Sequence, residues 1–512
     1  MMQRGNSYMG EQKVGRLLAK FSLPCIVSLV VSALYNIVDH IFIGFSSLGM
    51  YGHIATTVVF PLTLVAEAFA FMCGNGTAVH MAIRQGEYGS EPPEARKDSR
   101  LARAVAGAII LTVLFSVIII AVTFPLKDPL LYLLGASDNT ISCSADYFNI
   151  IVGFFPVFML MNTLNAVVRA DGAEKYAMAA SVTGAAINII LDPVFIYALD
   201  WGMKGAAWAT AAGQSVSLIM CALSLFRSRM FRLTLRSFIP DFRIIRRCLV
   251  LGMSSFLNEI AIVIMVVSLN ILLSRYGSSS VYGKDIPVAV IGIETRIFTV
   301  IFNIFSGLAL GGQPVLSYNH GAGKYDRVRS CYRLILLWTI IIGAVVTVIL
   351  EACPEGIISI FGTAEEPGID HALYVEYGVH TLRIFLALVI CSGVARISVT
   401  VFQALGKPGK AMSVAIVRDI VAFIPLVILI PYISEMCSPG SGVINILYSG
   451  PASDLIGCVL AAILTVSIFR GLKREEAAYR RNLELAEKFS MQAEESGNAC
   501  ASADGSNENS NI

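Results

Sequence analysis

Twelve stretches long and apolar enough to cross a bilayer dominate this chain, near residues 18–44, 53–83, 101–124, 142–168, 176–199, 203–226, 247–274, 286–319, 331–353, 372–404, 411–433 and 445–470. A helix needs about 20 mainly apolar residues to span the hydrocarbon core, where every backbone N–H and C=O must be bonded internally. Barrel strands, at about 9 to 11 residues with strict alternation, do not match these runs. The chain therefore reads as an all-α integral membrane protein. Of its 512 residues 56% are hydrophobic and 14% charged, against about 25% charged in soluble domains. A net charge of +2 gives no case for nucleic-acid binding. The eleven cysteines show no paired spacing and read as small core residues rather than a disulfide framework. No cleavable leader precedes the first apolar run, which is expected to stay as a span.

Lys and Arg sort by loop, and basic loops stay on the cytoplasmic side. The N-tail (Arg4, Lys13, Arg16, Lys20), the 84–103 loop, the 227–247 loop, the 321–333 loop and the C-tail are basic. The alternate connections are poor in positive charge; the 354–371 loop carries Glu355, Glu365, Glu366 and Asp370 with no Lys or Arg. Both termini are thus expected in the cytoplasm.

Sliding the chain against itself reveals two halves. GNGTAVHMAIRQGEY at 74–88 lies over GGQPVLSYNHGAGKY at 311–325, pairing Gly74 with Gly311 and Tyr88 with Tyr325. RADGAEKYAM at 169–178 lies over QALGKPGKAM at 403–412, pairing Gly172 with Gly406. Both matches fall at the same place in the order of spans. Six spans separate equivalent positions, so the copies share one orientation and are related by a pseudo-two-fold axis along the membrane normal. The expected organisation is an N-tail (1–17), an N-lobe of six helices (18–226), a linker (227–246), a C-lobe of six helices (247–472) and a C-tail (473–512) that starts as a charged helix and becomes disordered over its last twenty or so residues.

No nucleotide-binding loop, zinc motif or His/Cys cluster is present, so neither nucleotide nor cofactor is expected and the chain reads as a carrier rather than an enzyme. What remains are ionisable groups inside apolar spans: Asp39, Glu67, Asp192, Glu259, Glu294, Arg296, Arg383, Arg396, Asp419 and Asp454. An ion at mid-membrane costs about 2.5–3.5 kcal/mol on insertion scales and marks a functional candidate. Glu294 with Arg296, and Arg418 with Asp419, read first as local charge compensation or as positions near a helix end. Asp39 ends the run SALYNIVD, three residues after Asn36, with no Lys or Arg within a turn. Asn188 and Asp192 stand four residues apart in AINIILDPVFIYAL and so share a helix face. If the first and fifth helices meet, Asp39, Asn188 and Asp192 form a pocket where H⁺ or Na⁺ relieves carboxylate repulsion; mutual hydrogen bonding without exchange is the plainer alternative.

FSLPCIVSLVVSALYNIVDHIFIG, NIILDPVFIY followed by GMKGAAWATAAGQ, and SGLALGGQPVLSYNHGAGK together resemble the multidrug and toxic compound extrusion (MATE) family, over roughly residues 15–472. The resemblance implies a twelve-helix, two-lobed carrier that exports cationic and amphipathic compounds in exchange for H⁺ or Na⁺. It implies an N-lobe cation site at Asp39, Asn188, Asp192 and Thr210, and bending of the first helix at Pro24. Gln313 and Pro314 match a family motif read as a local unwinding or kink. A C-lobe cation site pairing Glu259 with a tenth-helix aspartate is put in doubt, because that stretch holds Arg383 and Arg396 and no aspartate. Glu67 and Glu259 are secondary candidates. Tyr35, Phe154, Phe158, Met159 and Met161 are candidate cavity lining, with helix packing the plainer role. The rival readings are a flippase for lipid-linked saccharides on a related fold, which wants a strongly cationic cavity, and a membrane prenyltransferase, which wants an aspartate-rich run absent here. The expected partners are small cationic or amphipathic molecules and the bilayer, with a monomer as the default.

Overall fold

A computed structural model of the chain describes residues 6–44, 49–87, 99–134, 136, 138, 140–228, 230–283, 285–360 and 371–504. The loop charges Arg4, Arg96, Lys97, Arg229, Glu365, Glu366 and Asp370, along with Tyr88, lie outside them, as does the side chain of Asn36. Among the described residues ten helices are each long and apolar enough to cross a membrane, and two bent helix pairs bring the spans to twelve. In chain order these are Val14–Gly44, Gly49–Glu87, Ser99–Thr123, the pair Ile141–Gly153 and Phe155–Ala170, Glu174–Pro193 with its extension Val194–Ala198, and Gly202–Phe226. The second set is Phe242–Gly277, Asp285–Gly321, Tyr325–Ala352, the pair His371–Phe385 and Val389–Ala404, the run Pro408–Cys437, and a last helix reached through Gly442–Tyr448 that continues from Ser449 to Asp504.

The repeat is visible in the backbone. The fourth and tenth spans are the bent pairs, by 49° and 52°. Their second segments begin at Phe155 and Val389 and end at Ala170 and Ala404, and each is followed by a glycine at positive φ, Gly172 (87°) and Gly406 (66°). That left-handed conformation reverses the chain tightly, and glycine adopts it without a Cβ penalty. The fifth and eleventh spans each contain a π-helical stretch, Val194–Ala198 and Val417–Ala422. Prolines stand close by. Pro193 has no N–H for the carbonyl of Ile189, and Pro425 none for that of Val421, so the helix locally widens its hydrogen-bond register.

Lipid explains the outward side chains. Val113, Val117, Ile118 and Val122 on the third span, and Leu337, Ile341, Val345 and Val348 on the ninth, are exposed apolar stripes of the kind a hydrocarbon solvent accepts.

The two halves meet through small residues near the basic loops. A Cβ at Gly76 would collide with the carbonyl of Cys248, and one at Gly252 with the carbonyl of Met72, so the second and seventh spans touch backbone to backbone. Ser22 Oγ donates to the Leu308 carbonyl at 3.0 Å, and Asn303 Nδ2 to the Leu29 carbonyl at 3.0 Å, tying the first span to the eighth. The short helix Asn6–Gly10 docks against the second half: Asn319 Nδ2 and Arg327 Nη2 each donate to the Met9 carbonyl at 3.1 Å, and Lys324 Nζ donates to Gly10 at 3.0 Å.

Two expectations need correction. The eighth span runs unbroken as a helix through Gln313 and Pro314, so of the two readings of that motif the local unwinding is not found; a single missing N–H is tolerated where neighbouring helices hold the segment. The first span is also helical through Pro24, the position expected to bend. The last helix extends to Asp504, well into the stretch expected to be disordered; its Ala, Glu, Lys and Gln content and the i,i+4 spacing of Glu484 and Lys488 favour helix.

Candidate functional site

The first, fifth and sixth spans bring Asp39, Asn188, Asp192 and Thr210 into one pocket. Asp39 is 7% exposed, Asn188 2% and Asp192 0%. Asn188 Nδ2 donates to Asp192 Oδ1 at 3.2 Å and to Thr210 Oγ1 at 3.4 Å, so one amide bridges two helices. Close approach of the fifth and sixth spans lets it do so: a Cβ at Gly213 would stand 2.5 Å from the Gly184 carbonyl and 3.2 Å from Asn188 Cβ. The carboxyls of Asp39 and Asp192 lie within hydrogen-bonding reach of each other.

What the pocket lacks defines it. Asp39 Oδ1, Asp192 Oδ2 and Asn188 Oδ1 are buried acceptors with no donor among the described residues, and no Lys or Arg there forms an ion pair with either aspartate. Three orphaned hard oxygens beside a hydroxyl suit a proton or a small oxygen-loving cation. No group of three His, Cys, Asp or Glu side chains able to hold a metal ion occurs among the described residues.

Two tyrosines and a glutamate lie within electrostatic range of it. Tyr35 is in electrostatic contact with Asp39, Glu67 and Asp192, and Tyr147, from the fourth span, with Asp39, Tyr35 and Asp192. Tyr147 escaped the sequence reading, because one tyrosine in the apolar run ISCSADYFNIIVG carries no distinguishing spacing. Of the other lining candidates, Met159 is fully buried in a core with Ala66, Ala70 and Phe148, and Phe158 packs against that core. Phe154 meets Trp208 edge-on at 5.3 Å. Met161 is half-buried.

Glu67 and Glu259 turn out to be neighbours across the two halves, both half-buried and within electrostatic range of each other. Phe69 and Phe256 meet beside them with centroids 4.9 Å apart. Glu259 Oε1 accepts from Asn258 Nδ2 at 3.4 Å.

The second half treats its charges differently. Arg418 donates through Nε to Asp454 Oδ1 at 2.7 Å, through Nη1 to Asp419 Oδ1 at 2.6 Å and through Nη2 to Ser392 Oγ at 3.3 Å. The compensation expected for Arg418 and Asp419 is therefore present and extends to the twelfth span. The compensation expected for Glu294 and Arg296 is absent: Glu294 is 3% exposed with Oε1 unpartnered, while Arg296 is exposed. Residues two apart on a helix point away from each other. Arg383 pairs with Glu351 at 3.6 Å at the surface, and Arg396 stays buried.

Twelve spans in two repeated halves, with a charged pocket inside one of them, define a membrane carrier. The MatE family model matches residues 24–194 and again 255–429, and the chain belongs to this family, the MATE transporters. The chain is 24% identical over 464 residues to the multidrug export protein MepA of Staphylococcus aureus, covering 90% of this chain and 96% of that one. Its fold is similar to that of an outward-facing multidrug resistance MATE transporter of the MOP superfamily, with a TM-score of 0.80 at 22% identity, covering 91% of this chain and 98% of the other. It also resembles a MATE structure in the bent conformation, with a TM-score of 0.79 at 21% identity, covering 92% and 99%.

Proposed function

We propose that the protein is a cation-coupled antiporter that exports cationic and amphipathic organic compounds from the cytoplasm, with H⁺ or Na⁺ taken up at Asp39 and Asp192. The observation that carries this reading is the buried aspartate pair with no resident counter-cation. Held ionised, the pair makes the inside of the first half negative and favours a lipophilic cation. Uptake of the coupling ion cancels that field and releases the cargo. Asn188 and Thr210 orient the pair and supply neutral oxygens, and Asn36 lies one helical turn from Asp39 in sequence. Pro24, where the first span lacks one backbone hydrogen bond, is the position at which that span bends, and a relative solved in a bent conformation supports this assignment. The unbroken helix at Gln313 and Pro314 leaves them a smaller role, as a flexible point in the eighth span.

The basic loops support a cytoplasmic position for both termini, and on that reading the glycine-lined contacts between the halves lie at the cytoplasmic end. A membrane potential contributes about 2.3 kcal/mol per charge per 100 mV, so two coupling ions exchanged for one monovalent cargo cation leave one net inward charge, enough to sustain a tenfold or greater cargo gradient. Export by a relative named as a multidrug export protein supports the cargo class. Ethidium efflux from proteoliposomes under an imposed proton gradient or an imposed sodium gradient tests the proposal. One of the two gradients is expected to drive efflux; efflux indifferent to both removes the coupling.

A further inference from the structure

The connection between the two halves carries a patch that neither the aspartate pocket nor the packing of the spans uses. After Phe226 ends the sixth span, the chain crosses the basic-loop face, makes a 3-10 turn at Leu235–Phe238 and enters the seventh span at Phe242. Its inner side is anchored to the third span. Phe231 is buried with Leu101, Ala102 and Val105, Asp241 Oδ2 lies 3.8 Å from Arg103 Nη1, and a Cβ at Gly107 would stand 3.0 Å from Ile245 Cγ1. Ser237 is buried as well, and its Oγ accepts from the Thr234 amide at 3.2 Å, which closes the turn. The outer side is apolar: Leu235 is 92% exposed and Phe242 79%, and Phe226, Phe238 and Ile239 also stand clear of the protein.

The third span fixes the depth of this segment. Its 25 residues make about 37 Å of helix against about 30 Å of hydrocarbon. The end that leaves the hydrocarbon is the charged one, with Arg100 and Arg103, and the linker rests there. Six exposed arginines interleave in sequence with the apolar side chains: Arg227, Arg232, Arg236, Arg243, Arg246 and Arg247. No ion pair or side-chain hydrogen bond joins any of their guanidinium groups to a described residue. The nearby acids are engaged elsewhere. Asp241 Oδ1 accepts from the Arg243 and Ile244 amides at 3.1 and 3.3 Å, and Asp171 Oδ1 from Ser228 Oγ at 2.9 Å.

We propose that the linker between the halves is a docking surface for anionic phospholipid. Leu235, Phe238, Ile239 and Phe242 enter the interface, and the arginines hold the phosphodiesters of lipids that carry net negative charge. A guanidinium matches a phosphate through paired N–H groups. With no carboxylate left to balance them, the arginines favour a net anionic headgroup over a zwitterionic one. A soluble anion would satisfy the arginines and leave the apolar side chains in water; a bilayer satisfies both. The segment that joins the two halves is thereby held in the plane of the membrane.

Energy transfer from a single indole to acyl-chain dansyl lipid tests the proposal in phosphatidylcholine vesicles. The chain has three tryptophans, so Leu235→Trp is placed in a background of Trp201→Phe, Trp208→Phe and Trp338→Phe. Transfer to dansyl-phosphatidylglycerol is expected to exceed transfer to dansyl-phosphatidylcholine by about twofold or more, with blue-shifted emission. The excess should fade between about 0.1 and 1 M salt, where the screening length drops from about 10 to 3 Å, and in Arg232→Gln with Arg236→Gln. A Met436→Trp reporter, at an exposed apolar site where the eleventh span ends on the opposite face, should show no preference between the lipids. Equal transfer from both lipids at Leu235→Trp overturns the proposal, as does an excess matched at Met436→Trp. So does an excess indifferent to salt and to the arginine changes, or the red emission of a water-exposed indole. These readings need neither cargo nor an ion gradient and are separate from the antiport proposed above.

Discussion

The fifth and sixth spans of the first half, and the eleventh and twelfth of the second, occupy equivalent places in the repeat yet are joined by opposite chemistry. In the first half a neutral amide reaches from Asn188 to Thr210, and the aspartates beside it have no cation. In the second, Arg418 clamps Asp419 and Asp454 and adds Ser392. At this place the second half has neutralised its membrane charges by an internal clamp that can be held permanently. The other has left two anions waiting for something mobile. Duplication thus gave two scaffolds, and the side chains made one an internal clamp and the other a candidate site. A buried ion pair needs no exchange partner, whereas an uncompensated one does.

The comparison breaks most readily at the first half. Asp192→Asn should reduce gradient-driven ethidium efflux to background while leaving the protein inserted and folded, as judged by monodisperse gel filtration in detergent. Retained efflux would make the pocket structural, like its counterpart. The second half should answer in the opposite way. Arg418→Met leaves Asp419 and Asp454 buried without a partner, a loss of about 3–5 kcal/mol, seen as a large drop in folded yield. Combining it with Asp419→Asn and Asp454→Asn should restore folding and leave efflux driven by the gradient; an efflux defect in the folded triple variant would show that the clamp takes part in transport.

Smaller effects sharpen the picture. Arg327→Ala removes the guanidinium that holds the Met9 and Gln12 carbonyls at 3.1 and 2.5 Å, a loss of about 1.5–3 kcal/mol per charged hydrogen bond before water replaces it. It should favour opening at the basic-loop face, measured as faster thiol labelling of the native, buried Cys248 beside Gly76 in a variant whose other cysteines are replaced by serine. The smallest expected change concerns Asp171, in the turn before the fifth span, whose equivalent in the second half is the buried Leu405. Burial pushes the Asp171 carboxyl up to about 7, against the opposing hydrogen bond from Ser228. The folded protein then holds this proton more tightly than the unfolded chain, so stability declines as pH rises from the ordinary carboxylate range to about 7 and levels off above it. Asp171→Asn should flatten that decline in a thermal-melt series in detergent.

Much of this was legible in the sequence for a plain reason: a hydrocarbon solvent forces long apolar runs, and any ion inside them stands out. The spans and the candidate aspartates followed from those two facts; the duplication came from matching the chain against itself, and the meeting of Asp39 with Asn188 and Asp192 was conditional on the first and fifth helices packing together. The bends in the fourth and tenth spans did not, because packing between helices settles them, and the π-helical stretches did not, because a proline permits several local adjustments and the surrounding packing selects one. The same limit hid Tyr147, the Arg418–Asp454 contact across 36 positions and the facing of Glu67 and Glu259 from opposite halves. Composition names the ions of a membrane protein; only tertiary structure says which of them already have partners.

The central claim is that Asp39 and Asp192 share one exchangeable ion whose presence is incompatible with bound cargo. Measuring ion release as ethidium binds, by a pH indicator in weak buffer and by a sodium-selective electrode, tests it most directly. The account predicts release of H⁺ or Na⁺ from the unaltered protein and none from Asp39→Asn. Release that is the same in both proteins would contradict it.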